Sequence, residues 1–159
     1  MTKKELLKII LLEDDPHLRK DYQEVSHRFA DKCEPLSERN TFSDGVTALR
    51  FVRKKRRSVD GILMDLRIHF GPNEEGYVRV DTDVPAGERF VLDLEAEGIT
   101  DIPVVVYSRF LSAGSPSAAS AARVRQFSFV KAVLSAAPDP EALLRKALRA
   151  IARAAAYGV

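Results

Sequence analysis

The sequence predicts an α/β domain built on a doubly wound, five-stranded parallel sheet of order 2-1-3-4-5. Three observations predict it. Short aliphatic and β-branched runs recur without polar alternation, as in strands covered on both faces. Segments of helical period separate these runs. Several of those segments open on Asp-Pro or Ser-Pro, an N-cap followed by proline at the first helical position. Strands and helices alternating five times build a parallel sheet through right-handed crossovers, and 2-1-3-4-5 is a common order for such sheets.

The elements follow in order. Ile9 to Leu12 is the first strand. Asp15-Pro16 starts a helix in which Leu18, Tyr22, Val25 and Phe29 recur at helical spacing, to about Asp31. Pro35 precedes a weak edge strand at about Leu36 to Phe42. Asp44 and Gly45 open a second helix carrying Val46, Leu49 and Val52, and it closes in the basic run Arg53 to Arg57, where cations favour the helix dipole. Ile62 to Met64 is a third strand ending at Asp65, and Pro103 to Tyr107 is a fourth. Between them a helix spans roughly Arg89 to Glu97, with Phe90, Val91 and Leu94 on one face and Gly98 as its stop. Ser115-Pro116 starts an Ala-rich helix, Phe127 to Val130 is a fifth strand, and Asp139-Pro140 starts the last helix. That helix places Leu144, Ala147, Leu148, Ile151 and Ala155 inside, and Arg145, Lys146, Arg149 and Arg153 mostly outside.

Composition narrows the function. The chain has 159 residues, 45% apolar and 30% charged, which suits one compact domain. A formal charge of +2, from 25 basic against 23 acidic residues, is too mild to argue for nucleic acid. The basic run at Arg53 to Arg57 and the last helix read as solvated faces, since no DNA-binding motif accompanies them. The lone Cys33 rules out an internal disulfide and a cysteine zinc cluster, and reads as a plain thiol. Leu6 to Leu12 is interrupted by Lys8 and followed by acids rather than a cleavage site, so it is not read as a signal peptide. No apolar run could span a bilayer, and the expected location is the cytoplasm.

In open parallel sheets the ligand sits beyond the carboxyl ends of the strands. With the boundaries above, that rim carries Glu13 and Asp14 after strand one, Asp65 after strand three, Ser108 after strand four and Lys131 after strand five. Each has a bland explanation alone, as a helix cap or a solvated side chain. Together they pose an electrostatic problem. Two unit charges about 4 Å apart repel by roughly 4 kcal/mol at an effective dielectric of 20. A raised pKa would answer it, and so would a hard cation; Mg²⁺ fits because it takes one or two carboxylates and completes its shell with water and phosphate oxygens. A carboxylate is also a recognised nucleophile for phosphoryl transfer, which requires positioning and cancellation of charge. On this reading Asp65 accepts a phosphoryl group, Glu13 and Asp14 hold the metal, Lys131 pairs with a phosphate oxygen and Ser108 donates a hydrogen bond.

The chain resembles response-regulator receiver domains from Lys8 to about Ala156. The resemblance rests on Ile9 to Pro16 (IILLEDDP), Gly61 to Leu66 (GILMDL), Ile102 to Ser108 (IPVVVYS) and Phe129-Val130-Lys131, in this order and spacing. It implies the flavodoxin-like (βα)5 fold and phosphotransfer with Mg²⁺ or Mn²⁺ in a bacterial two-component or phosphorelay pathway. The donor would be a phosphohistidine of a sensor histidine kinase or a histidine phosphotransfer protein. The backbone carbonyl of Arg67 would complete the metal shell. Output would be by protein contact, without turnover of a separate substrate, and pairing through the fourth and fifth helices could give a homodimer. The expected organisation is one receiver-like domain over residues 1–159 with no output domain.

Several positions depart from the family pattern. The stretch from Arg67 to Gly87 is an insertion beside the acceptor, and its alternating part after His69 to Gly76 is compatible with a hairpin, a flap or a plain surface loop. His69 reads as a solvated loop residue. Ala132 stands where a proline normally follows the lysine, Ser128 where a switching aromatic is common, and Arg109 where a small residue is usual. Arg109 could reach the phosphate or crowd it, and Arg67 could shield the site from water. These departures support an alternative, a pseudo-receiver that binds partners without phosphate. A hydrolase of the haloacid-dehalogenase type ranks last, because it needs a second Asp where Arg67 stands.

Overall fold

The computed structural model describes residues 5–67, 86–109, 111, 114–135 and 139–157. Five parallel strands, β1 (Ile9–Leu12), β2 (Thr41–Phe42), β3 (Gly61–Asp65), β4 (Val104–Ser108) and β5 (Val130–Ser135), lie in the order β2-β1-β3-β4-β5. Five helices, α1 (Pro16–Ser26), α2 (Gly45–Lys55), α3 (Ala86–Ala96), α4 (Pro116–Val124) and α5 (Pro140–Tyr157), connect and cover them. This is the doubly wound α/β sheet that the sequence predicts.

Alternation along the strands divides the core in two. Ile10, Leu12, Ile62, Met64, Val104 and Val106 meet α2, α3 and α4 through Val52, Phe90, Leu94 and Val124. Ile9, Leu11, Leu63, Val105 and Tyr107 meet α1 and α5 through Tyr22, Leu144, Leu148 and Ile151. Helices cover both faces, which explains strands that carry apolar residues without a break.

Capping sets the helix starts. The Asp15 carboxylate accepts from the backbone N–H groups of His17 and Leu18, Asp44 from Thr47, and Ser115 from Ala118. Helix α3 stops at Gly98, whose φ of +71° is the left-handed conformation a helix end favours. Cys33 is buried, and burial pushes its thiol up to about 11.

The structure adjusts several expected boundaries. Helix α1 ends at Ser26, and a 3-10 turn at His27–Phe29 carries the buried Phe29. The edge strand shortens to Thr41–Phe42, because Pro35 and the turn at Asn40 leave the preceding residues outside the ladder. Helix α3 begins three residues earlier than its apolar pattern suggested. In α5 the buried alanine near the end is Ala154 and not Ala155, one step round the helix. The largest correction concerns β5, which spans Val130–Ser135 where Phe127 to Val130 was expected. Phe127 and Phe129 pack into a ring pair before the strand, and the strand itself comes from the less aromatic residues that follow. Apart from Arg67, Ala86 and Gly87, the 67–87 insertion, with His69 and the suggested hairpin, lies outside the described residues.

Two residues of the basic run closing α2 are engaged. Arg53 pairs with Glu97, and Arg56 with Asp101 and the Gly98 carbonyl, joining α2 to the end of α3. No helix among the described residues is long and apolar enough to cross a membrane.

Candidate functional site at the carboxyl rim of the sheet

The carboxyl ends of β1 and β3 lie side by side, with Leu12 opposite Met64 and Asp65 opposite Tyr107 of β4. Strand β1 runs straight into Glu13, whose N–H donates to the Phe42 carbonyl, and then into the α1 cap at Asp15. This geometry gathers Glu13, Asp14 and Asp65, with one carboxylate oxygen of each lying within 4.8 Å of the others. The three acids the sequence nominated therefore form one cluster.

Each member is held. Glu13 is fully buried; Tyr107 Oη donates to its Oε1 at 2.9 Å, and the Asp15 N–H to its Oε2 at 3.1 Å. Asp65 Oδ1 accepts from the Arg67 N–H at 3.0 Å. Arg19 Nη1 donates to the backbone carbonyls of Glu13 and Asp14, both at 3.0 Å, bracing the turn that carries the two acids. Tyr22 packs its ring on Tyr107, with centroids 5.7 Å apart. Tyr107 and Arg19 were not singled out as site residues from the sequence. Tyr107 was visible as a polar aromatic at the end of an otherwise aliphatic strand, and Arg19 had no distinctive pattern.

Burial dominates the electrostatics. It raises the Glu13 carboxyl from 4.5 to about 8, with help from the charge of Asp65 and against the hydrogen bonds from Asp15 and Tyr107. Asp65 is raised for the same first reason and by Asp14, while the Arg67 N–H and the charges of Arg109 and Arg67 pull it down. The Tyr107 phenol is pushed well above its usual value, so it stays a neutral donor. A site in which Glu13 and Asp65 resist ionisation needs either a proton or a cation. The donor set fits a hard divalent ion, since it offers clustered carboxylate oxygens and no sulfur or imidazole.

Around the acceptor, Gly87 shows how close α3 comes. Its N–H donates to the Leu66 carbonyl at 2.9 Å, and a Cβ there would stand 2.5 Å from that oxygen and 2.8 Å from the Asp65 carbonyl oxygen. The insertion therefore leaves the sheet at Arg67 and the chain returns against Leu66. Ser108, the last residue of β4, is buried beside this rim.

Lys131 is the residue the structure does not bring to the site. It is the second residue of β5, at a register shift where Val104 pairs with Val130 and Val105 with Ala132. Ser135 is the residue opposite Ser108. Four residue steps along the strand separate Lys131 from that rim position, about 13 Å. Among the described residues, no lysine follows any of the five strands at this end. The departures at Ser128 and Ala132 were counted from Lys131 and lose their anchor with it.

No family model and no curated protein matches the sequence. Solved structures do match. The signal receiver domain of a LuxO repressor protein from Vibrio parahaemolyticus superposes with a TM-score of 0.68 at 15% identity, covering 96% of this chain and 95% of that one. A response-regulator receiver domain from Clostridium thermocellum gives 0.62 at 14% identity, covering 96% and 99%. The chemotaxis response regulator CheY4 of Vibrio cholerae gives 0.62 at 18%, covering 92% and 99%. The chain thus has the fold of response-regulator receiver domains over nearly its whole length.

Proposed function

We propose that this chain is a receiver-type signalling domain that takes a phosphoryl group on Asp65 with a divalent cation, Mg²⁺ or Mn²⁺. One observation carries the reading: Glu13, Asp14 and Asp65 converge within 4.8 Å at the strand rim where this fold places its ligands. Glu13, Asp14, Asp65 and the Arg67 carbonyl would hold the ion, which when bound supplies positive charge to the phosphoryl oxygens. The chain's own residues do the rest. The Asp65 carboxylate is the nucleophile, oriented by the Arg67 N–H. Tyr107 and the Asp15 N–H hold Glu13 in place. The Ser108 hydroxyl, next to Tyr107 on β4, donates to the phosphoryl group. Lys131 has no part in this scheme.

The donor in this reading is a sensor histidine kinase or a histidine phosphotransfer protein. The output is a changed surface offered to a partner protein, by a shift between conformers rather than by turnover of a substrate. Acetyl phosphate and Mg²⁺ should add a single phosphoryl mass to the wild type and none to Asp65→Ala. Equal labelling of both proteins, or of neither, would contradict the assignment.

A second reading, a phosphate-independent interaction module, is favoured by one observation: Ser135 and not a lysine faces Ser108. Titration with Mg²⁺ separates the two. Binding that is lost in Asp14→Ala supports the acceptor, whereas no binding to the wild type supports the module.

A further inference from the structure

A phosphoryl group on Asp65 would replace one carboxylate charge with about two, beside the acids Glu13 and Asp14. The lysine expected to meet that charge stands at the other end of β5. Two guanidiniums lie nearer. Arg109 follows Ser108 on the exposed side of the rim, and its charge is shared among Asp65, Asp15 and Tyr22. Arg67 is held by two hydrogen bonds. Its backbone N–H is on Asp65 Oδ1 at 3.0 Å, and its Nη1 donates to Ser117 Oγ at 3.1 Å. Ser117 is fully buried in the first turn of α4. The guanidinium is therefore tied to α4, on a residue two positions from the carboxylate it would serve.

We propose that the Arg67 guanidinium is the cation that pairs with the phosphoryl group on Asp65, exchanging the Ser117 hydroxyl for a phosphoryl oxygen. The inference rests on the acceptor reading above. With an acyl phosphate as donor, an Asp65 carboxylate oxygen forms the bond to phosphorus. The bond from phosphorus to the acyl oxygen breaks, and the carboxylate leaves with the electron pair. Arg67 moves no proton; its N–H groups bind the equatorial oxygens, for which a planar fork is suited.

The exchange also links the site to the helical layer. Ser120, one turn beyond Ser117, donates to Glu88 of α3 at 2.7 Å, and Arg123 donates to both Glu88 oxygens at 2.6 and 2.7 Å. Release of Ser117 would loosen the first turn of α4 while Glu88 keeps its later part against α3.

Intact-mass kinetics with acetyl phosphate and Mg²⁺ test this on the wild type, Arg67→Ala, Arg67→Lys, Arg109→Ala and Lys131→Ala. Loss of one charge-assisted contact should slow labelling of Arg67→Ala roughly 10- to 100-fold. Arg67→Lys should recover part of that rate, and Lys131→Ala should label like the wild type. Hydrogen exchange adds a second readout: backbone amides in the first turn of α4 should exchange faster after labelling in the wild type, with no such change in Arg67→Ala. Labelling of Arg67→Ala at the wild-type rate would overturn the inference, as would a loss confined to Arg109→Ala or no recovery in Arg67→Lys. An unlabelled wild type would instead remove the acceptor reading itself, and the inference with it.

Discussion

At the scale of single residues, Glu13 controls the resting site. It is a buried acid whose folded-state pKa of about 8 lies above its ordinary 4.5, so the native state holds the proton more tightly than the unfolded chain. Between about pH 4.5 and 8 the native state binds more protons, and stability without metal falls as pH rises through that window. Urea midpoints measured in EDTA across this range should decline. Asp65→Asn removes the neighbouring charge and should flatten the decline. Tyr107→Phe deletes the donor to Glu13 Oε1 and leaves that oxygen without this partner, at a cost of about 1–3 kcal/mol. The loss should be greater at pH 9 than at pH 6, because the ionised carboxylate depends more on the hydrogen bond.

At the scale of elements, two junctions position the acceptor. The first is the contact of α3 with the end of β3 at Gly87, where any side chain meets backbone on the facing segment. Backbone cannot rotate away as a side chain can. Gly87→Ala should therefore destabilise by about 1–3 kcal/mol and shift the start of α3, readable as lost amide protection at Leu66 and Gly87. The second is the cap of α4. Ser115→Ala removes the acceptor for the Ala118 N–H and should cost about 1 kcal/mol. That loss should appear as faster hydrogen exchange in the first turn of α4, next to Ser117.

At the scale of the whole molecule, two sets of acids work in opposite pH ranges. Glu88 is buried, and burial alone would raise it, but the hydrogen bonds from Arg123 and Ser120 and the guanidinium charge together hold it below 4.5. Its contribution is present above its unfolded value and is lost as pH falls through the depressed folded value. Glu13 and Asp65 work the other way, favouring the native state as pH falls towards their ordinary values. Without metal the molecule should be most stable in mildly acidic solution. A cation at the rim competes with the Glu13 proton, so Mg²⁺ should raise the urea midpoint at pH 8 and change it little at pH 5. An equal Mg²⁺ effect at both values would place binding away from this cluster.

The sequence by itself determined the sheet, its order and the acidic rim. Those depend on local signals: uninterrupted apolar runs, caps such as Asp15-Pro16, and acids immediately following β1 and β3, where the chain must emerge at the carboxyl edge. Only the tertiary structure decided where Lys131 stands relative to the rim. The register of β5 is set by pairing with β4, and the apolar runs Phe127 to Val130 and Val130 to Leu134 are equally plausible strands when read alone. Pairing Ser108 with Ser135 moves Lys131 to the far end, a shift no local pattern encodes. The links from Tyr107 to Glu13 and from Arg67 to Ser117 span 94 and 50 residues of sequence. They exist because the crossovers bring separate strand and helix ends together, and long-range juxtaposition of that kind is a property of the packed chain.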